Sequence, residues 1–87
     1  MPMTDRGIVA VQQESDGTLS LMVCAGIKAN RPYGVFAKYS HVPSDLIRTA
    51  LPLRRAGEFR HTEEIVQVSR GESGFIEINR VPETSGL

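Results

Sequence analysis

The apolar positions of this chain fall into short stretches separated by clusters of Gly, Pro, Asp, Asn and Ser, a punctuation typical of β-structure. Residues 7–13 (GIVAVQQ) are β-branched and mostly apolar, which predicts a strand. Glu14-Ser15-Asp16-Gly17 follows as a turn, its Asp-Gly pair suited to positive φ. Residues 18–27 predict the returning strand of a hairpin. Leu19, Leu21 and Val23 share one face, and Met22 and Cys24 make the other face apolar as well, so cover on both sides is expected.

Residues 28–34 (KANRPYG) read as loop, punctuated by Asn30, Pro32 and Gly34. A short third strand is expected over 35–39. Pro43-Ser44-Asp45 predicts a helix start, with Ser44 as N-cap and Asp45 in the first turn. Leu46, Ile47, Ala50 and Leu51 then lie on one helical stripe. Pro52 stops that helix after two turns, which only packing can hold. Residues 63–69 and 75–79 predict a second hairpin around Arg70-Gly71-Glu72-Ser73-Gly74, with Val66 and Val68 sharing one face of the first strand and Ile76 and Ile78 one face of the second. The polar, proline-bearing stretch 80–87 is expected to be a flexible tail. The order is ββ-β-α-ββ: a β-rich α+β domain spanning 1–79, two hairpins plus a third strand and one short helix, in a curled sheet or partial barrel.

Size bounds how such a fold can be held. The chain has 87 residues and a single cysteine, so no internal disulfide is possible. A chain this short buries only a little over ~60% of its unfolded surface. Disulfides, metals and oligomerisation are the usual reinforcements. With unpaired sheet edges also expected, self-association as a homo-oligomer is the anticipated one. The longest apolar run, nine residues from Leu19 to Ile27, is too short to span a membrane, where ~20 are needed. Acidic Asp5, Glu14 and Asp16 stand where a secretory signal carries positive charge, so a cytoplasmic location is expected.

Charge adds the one feature that composition hides. The chain is formally neutral, yet residues 1–27 carry −2, residues 28–61 carry +5 and residues 62–87 carry −3. The basic middle also holds four of the five aromatic residues. Its densest part, Arg31, Tyr33, Phe36, Lys38 and Tyr39, joined by Arg54 and Arg55, is the candidate partner-binding set. Arg and Tyr are favoured anchors of protein interfaces, and segregated charge suits a partner with an acidic surface or a second copy of the chain. The expected function is therefore a small non-enzymatic binding or regulatory module: an adaptor, inhibitor or assembly factor docking on a protein. Single-stranded nucleic acid is the alternative ligand for the same residues, because cations neutralise phosphates and flat rings stack on bases. That alternative needs both tyrosines exposed. If residues 33–39 are extended, however, Tyr33, Val35, Ala37 and Tyr39 share one face and read as core.

Candidate chemistry is sparse. Cys24, His41 and His61 are the potential strong metal ligands, but no CxxC, HxxxH or HExxH spacing joins them, so no metal or other cofactor is expected. Cys24, on an apolar strand, reads as an inert core thiol. Ser40-His41 with Asp45 supplies the atom types of a catalytic triad, but such partners normally meet from separate elements. Glu63 and Glu64 are adjacent on a strand start, where successive side chains diverge. No catalytic residue is assigned.

Overall fold

The computed structural model of the chain describes residues 4–56 and 59–81. Its elements are β1 (Thr4–Gln13), β2 (Leu19–Cys24), β3 (Gly26–Lys28), β4 (Arg31–Tyr33), β5 (Ala37–Val42), a single 3-10 turn (Ser44–Leu46), β6 (Ile47–Thr49), β7 (Arg54–Ala56), β8 (Phe59–His61), β9 (Val66–Arg70) and β10 (Ile76–Arg80). The protein is mostly β. Eight strands form one mixed sheet in the order β5-β2-β1-β9-β10-β6, with β8 also paired to β1 and β7 to β8, while β3 and β4 make a separate small hairpin.

The two hairpins expected from alternation are present. β1 and β2 pair antiparallel from Ile8↔Cys24 to Gln13↔Leu19. Their turn is closed by the Glu14 amide on the Thr18 carbonyl (2.8 Å), and Gly17 takes the positive φ of 89° that its lack of a Cβ permits. β9 and β10 pair from Ile76↔Arg70 to Arg80↔Val66, so Arg80 belongs to a strand. The remainder of the expected flexible tail, from residue 82, lies outside the described residues.

β1 organises the whole sheet because it is longer than its partners. Its first part, Thr4 to Gly7, pairs with β9. Its second part pairs with β2 from Ile8 onward, and with β8 through Ala10↔His61 and Val11↔Arg60. β1 thus passes from one leaf (β1-β9-β10-β6) into another (β5-β2-β1-β8-β7), the way a strand turns the corner between packed sheets. Val9, Val11, Leu21 and Val23 from one leaf and Val66, Val68, Ile76 and Ile78 from the other enclose a common core with Val42 and Leu51. The eight from β1, β2, β9 and β10 are residues of one face of their strands, as the period of two requires. The sheet does not close into a barrel: β5 and β6 remain its ends.

The expected helix is a correction. Only Ser44–Leu46 takes a helical turn, Ser44 makes no cap, and the flanking Pro43 has no side-chain cap bond. Ile47–Thr49 instead forms β6, the parallel partner of β10, and the Ala50 amide continues onto the Ile78 carbonyl at 2.8 Å. Two turns are below the length at which helix nucleation is repaid in water, and β-branched Ile47 and Thr49 fit a sheet edge instead. The architecture is accordingly mostly β, with a single 3-10 turn where the α+β reading expected one short helix.

The expected loop at 28–34 is also more ordered than its composition suggests. Ala29 and Asn30 both have positive φ (53° and 63°), the signature of a two-residue primed turn joining β3 to β4. The third strand runs over Ala37–Val42 rather than 35–39. β7 and β8, in a stretch with no strand expectation, pair from Arg54↔His61 to Ala56↔Phe59.

Candidate functional site

The seven candidate residues are divided by the fold into four environments. Arg31, Tyr33, Phe36 and Lys38 stand at one end of the β1-β2 hairpin. Tyr33 (53% exposed), Val35 (45%) and Phe36 (55%) are three of the four exposed large apolar residues among those described. Arg31 and Lys38, also exposed, flank them. The segment is anchored by the Phe36 amide on the Val23 carbonyl (2.9 Å) and by the Ala25 amide on the Tyr33 carbonyl (3.0 Å). Tyr33 and Val35, both expected on a core face if 33–39 is extended, are instead part of this exposed patch, because the chain enters β5 only at Ala37.

Two glycines explain how the rings are seated. A Cβ at Gly26 would lie 2.6 Å from the Tyr33 hydroxyl oxygen, so that ring covers the bare backbone of its cross-strand partner. A Cβ at Gly7 would lie 2.9 Å from Cζ of Phe36, placing the tip of that ring over the point where β1 passes between leaves. Each aromatic is held on one side by backbone and open to solvent on the other.

Tyr39 is in a different place. It packs against the core cluster, and its hydroxyl donates to Asp5. Arg70 lies over its ring, 5.3 Å from the centroid. Burial, reinforced by the hydrogen bond to Asp5 and that carboxylate's charge, pushes the phenol up to about 12. A neutral, packed phenol between Asp5 and Arg70 is a structural strut and offers no face for stacking. Alternation had allowed this, since Tyr39 falls on the same face of its strand as Ala37.

Arg54 and Arg55 part company because neighbours on a strand point to opposite faces. Arg54 reaches Glu63 at 3.8 Å. Arg55 sits directly opposite Arg60 and, with it, lines a cavity of about 350 Å³ whose other walls include Val11, Gln13, Leu19 and Ser44. This cleft lies at the Leu19 end of β2, whereas the aromatic patch lies at the Val23 end. Four residues of strand, roughly 13 Å, separate the two.

Neither histidine lines the cleft. His41, in the left-handed region (φ 54°), occupies a bulge of β5 opposite the Leu19–Leu21 stretch of β2. Its Nδ1 lies 3.3 Å from both Asp16 Oδ2 and Thr18 Oγ1, while the Thr18 hydroxyl donates to Asp16 at 2.6 Å. A catalytic triad engages the acid and the nucleophile through different ring nitrogens. Here both meet the same one, in an exposed turn. Bonds from the Thr18 hydroxyl and amide, aided by His41, hold the Asp16 carboxyl below its usual range. His61 pairs across the strands with Ala10 and Arg54 and lies beside Phe59 (ring centroids 6.1 Å apart). Cys24 is fully buried, its thiol donating to the Ile8 and Gly26 carbonyls at 3.2 and 3.3 Å, and burial raises its pKa. Among the described residues no group of three or more His, Cys, Asp or Glu side chains is placed to hold a metal ion. Nor is any helix there long and apolar enough to cross a membrane.

Comparison of the chain with protein-family models, curated proteins and solved structures gives no match.

Proposed function

We propose that this protein is a non-enzymatic docking module that engages a protein partner through the patch of Arg31, Tyr33, Val35, Phe36 and Lys38. The observation that carries the reading is the clustering of exposed apolar side chains, three within four residues, when among the described residues only Ile65 is a further exposed large apolar side chain. Contiguous exposed apolar surface rimmed by polar residues marks interaction sites. Rings seated on glycine backbone are already ordered before binding, which lowers the entropy cost of association. Flanking Arg31 and Lys38 favour a partner with an acidic rim around an apolar centre. Self-association through the same patch, with the open edge of β5 beside it, is the homo-oligomeric form of this reading.

The nucleic-acid alternative loses one of its rings, because Tyr39 is packed and hydrogen-bonded, and loses the continuity of its cations, because Arg54 and Arg55 lie elsewhere. The test compares the wild type with Val35→Asp/Lys38→Glu, which alters exposed positions only. Cross-linking in a lysate of the native host, and sedimentation of the pure protein, should give one specific hetero- or self-complex that the double variant loses and Arg80→Gln retains. Saturable binding of labelled single-stranded DNA or RNA that weakens steeply with salt, with no protein complex, would refute the proposal and favour nucleic acid.

A further inference from the structure

The cleft between the β7-β8 hairpin and the β1-β2 turn has a composition that folding alone does not explain. Arg55 and Arg60 are direct cross-strand partners, and like charges so placed, with Cβ atoms about 5 Å apart, repel. Among the described residues neither has an acidic partner: the ion pairs there join His41 to Asp16, Arg54 to Glu63 and Arg80 to Glu64. Glu14, the acid adjacent to Gln13, is held on the opposite face of the sheet by the Ser20 hydroxyl at 2.5 Å. The strand period makes the pairing consequential, because Arg60 opposes Val11 and Val11 faces the core. Both arginines therefore project on the core side of the sheet, at its open rim, where Ser44 and Gln13 add neutral donors and Val11 and Leu19 an apolar wall.

We propose that this cleft binds a phosphate monoester of a small molecule, with Arg55 and Arg60 sharing the dianionic phosphate and the organic group lying against Val11 and Leu19. Two guanidinium forks match the oxygens of one tetrahedral anion, and a shared dianion turns their mutual repulsion into attraction. Ser44 and Gln13 donate to the remaining oxygens. At about 350 Å³ the cavity admits a small organic ligand and not only an ion. The site is independent of the docking patch at the other end of the hairpin.

The test is a titration of the full chain with phenyl phosphate, inorganic phosphate and an oligo-dT strand, at an ionic strength held constant with chloride, followed by proton–nitrogen correlation NMR. Phenyl phosphate should give saturable shifts at Gln13, Ser44, Arg55 and Arg60, and should bind severalfold tighter than inorganic phosphate. Arg60→Gln should weaken it at least tenfold, about 1.4 kcal/mol, while Arg31→Gln leaves it unchanged. Because Arg60→Gln removes a like-charge contact, it should also melt no lower than the wild type without ligand, and phenyl phosphate should raise the wild-type melting temperature alone. Shifts spread evenly over all basic residues, or an unchanged affinity in Arg60→Gln, would overturn the site. Equal affinity for inorganic phosphate would overturn the organic group, and equal competition by oligo-dT would overturn the monoester.

Discussion

Gly7, the last β1 residue paired with β9, is packed too closely for a side chain, and Gly7→Ala tests that closeness. A Cβ there would stand 2.7 Å from the Cys24 carbonyl oxygen, 2.9 Å from Phe36 Cζ and 3.1 Å from Val23 Cγ1. On its own, burying one methyl group is worth ~0.8 kcal/mol, and restricting the unfolded chain adds ~0.4–1 kcal/mol. Against that stands an obstacle that cannot swing aside. The Cys24 carbonyl belongs to the backbone of β2 opposite Ile8, and reaching ordinary contact at 3.4 Å requires it to retreat by about 0.7 Å. Overpacking of well-filled interiors costs ~1–3 kcal/mol net. With backbone as the obstacle, Gly7→Ala belongs at the upper end, ~2–3 kcal/mol, which lowers the melting temperature by ~10–20 °C in a domain of this size. Gly26→Ala is the internal comparison. Its three nearest obstacles are all atoms at the far end of the Tyr33 side chain, which a Cβ can push off its seat without moving any backbone, so its cost is below ~1 kcal/mol. Urea unfolding followed by far-ultraviolet circular dichroism measures both, and adding Phe36→Ala to Gly7→Ala should recover only a minor part of the loss. Wild-type stability in Gly7→Ala, or a larger loss in Gly26→Ala, would refute the reasoning.

Three further outcomes follow from the same contacts. In Tyr33→Phe, which leaves Tyr39 as the one tyrosine, phenolate absorbance should rise with a midpoint near 12. Because that folded value lies above the unfolded one of ~10, the stability Tyr39 contributes is complete below pH ~10 and is lost as pH rises toward 12; Tyr39→Phe should flatten that decline in alkaline unfolding curves. Thr62 is fully buried, accepting from the Val9 amide and donating to the Glu64 carbonyl at 3.2 Å each. Thr62→Val strands both groups and should cost ~1–3 kcal/mol in the same urea assay, with Thr62→Ser costing less. Cys24, buried and raised in pKa, should react with an aromatic disulfide reagent only as fast as the protein opens, so the rate should climb with urea; rapid labelling of the native protein would contradict its burial.

How much of this was legible in the sequence depends on the range of the interaction that decides each element. The β1-β2 and β9-β10 hairpins were, because Val9, Val11, Leu21 and Val23, and likewise Val66, Val68, Ile76 and Ile78, alternate in the strands themselves and Gly17 and Gly74 mark the turns. The burial of Cys24 was legible as well, from the second apolar face that it shares with Met22. Residues 44–51 were not: their spacing suits a helix, and only the parallel partner β10 makes extended backbone the better choice for Ile47 to Thr49. Nothing local could reveal that Arg55 meets Arg60, or that Arg54 meets Glu63 instead of joining Arg31. The segregation of charge along the chain was thus determined by sequence alone, and so was the enrichment of aromatics in its middle. Whether those residues make one surface was decided by tertiary structure. β1 passes between two leaves at Gly7, Phe36 and Tyr33 settle on glycine backbone, and Tyr39 turns to the core. Side-chain direction alternates residue by residue, but which face becomes interior depends on partners far away in the chain.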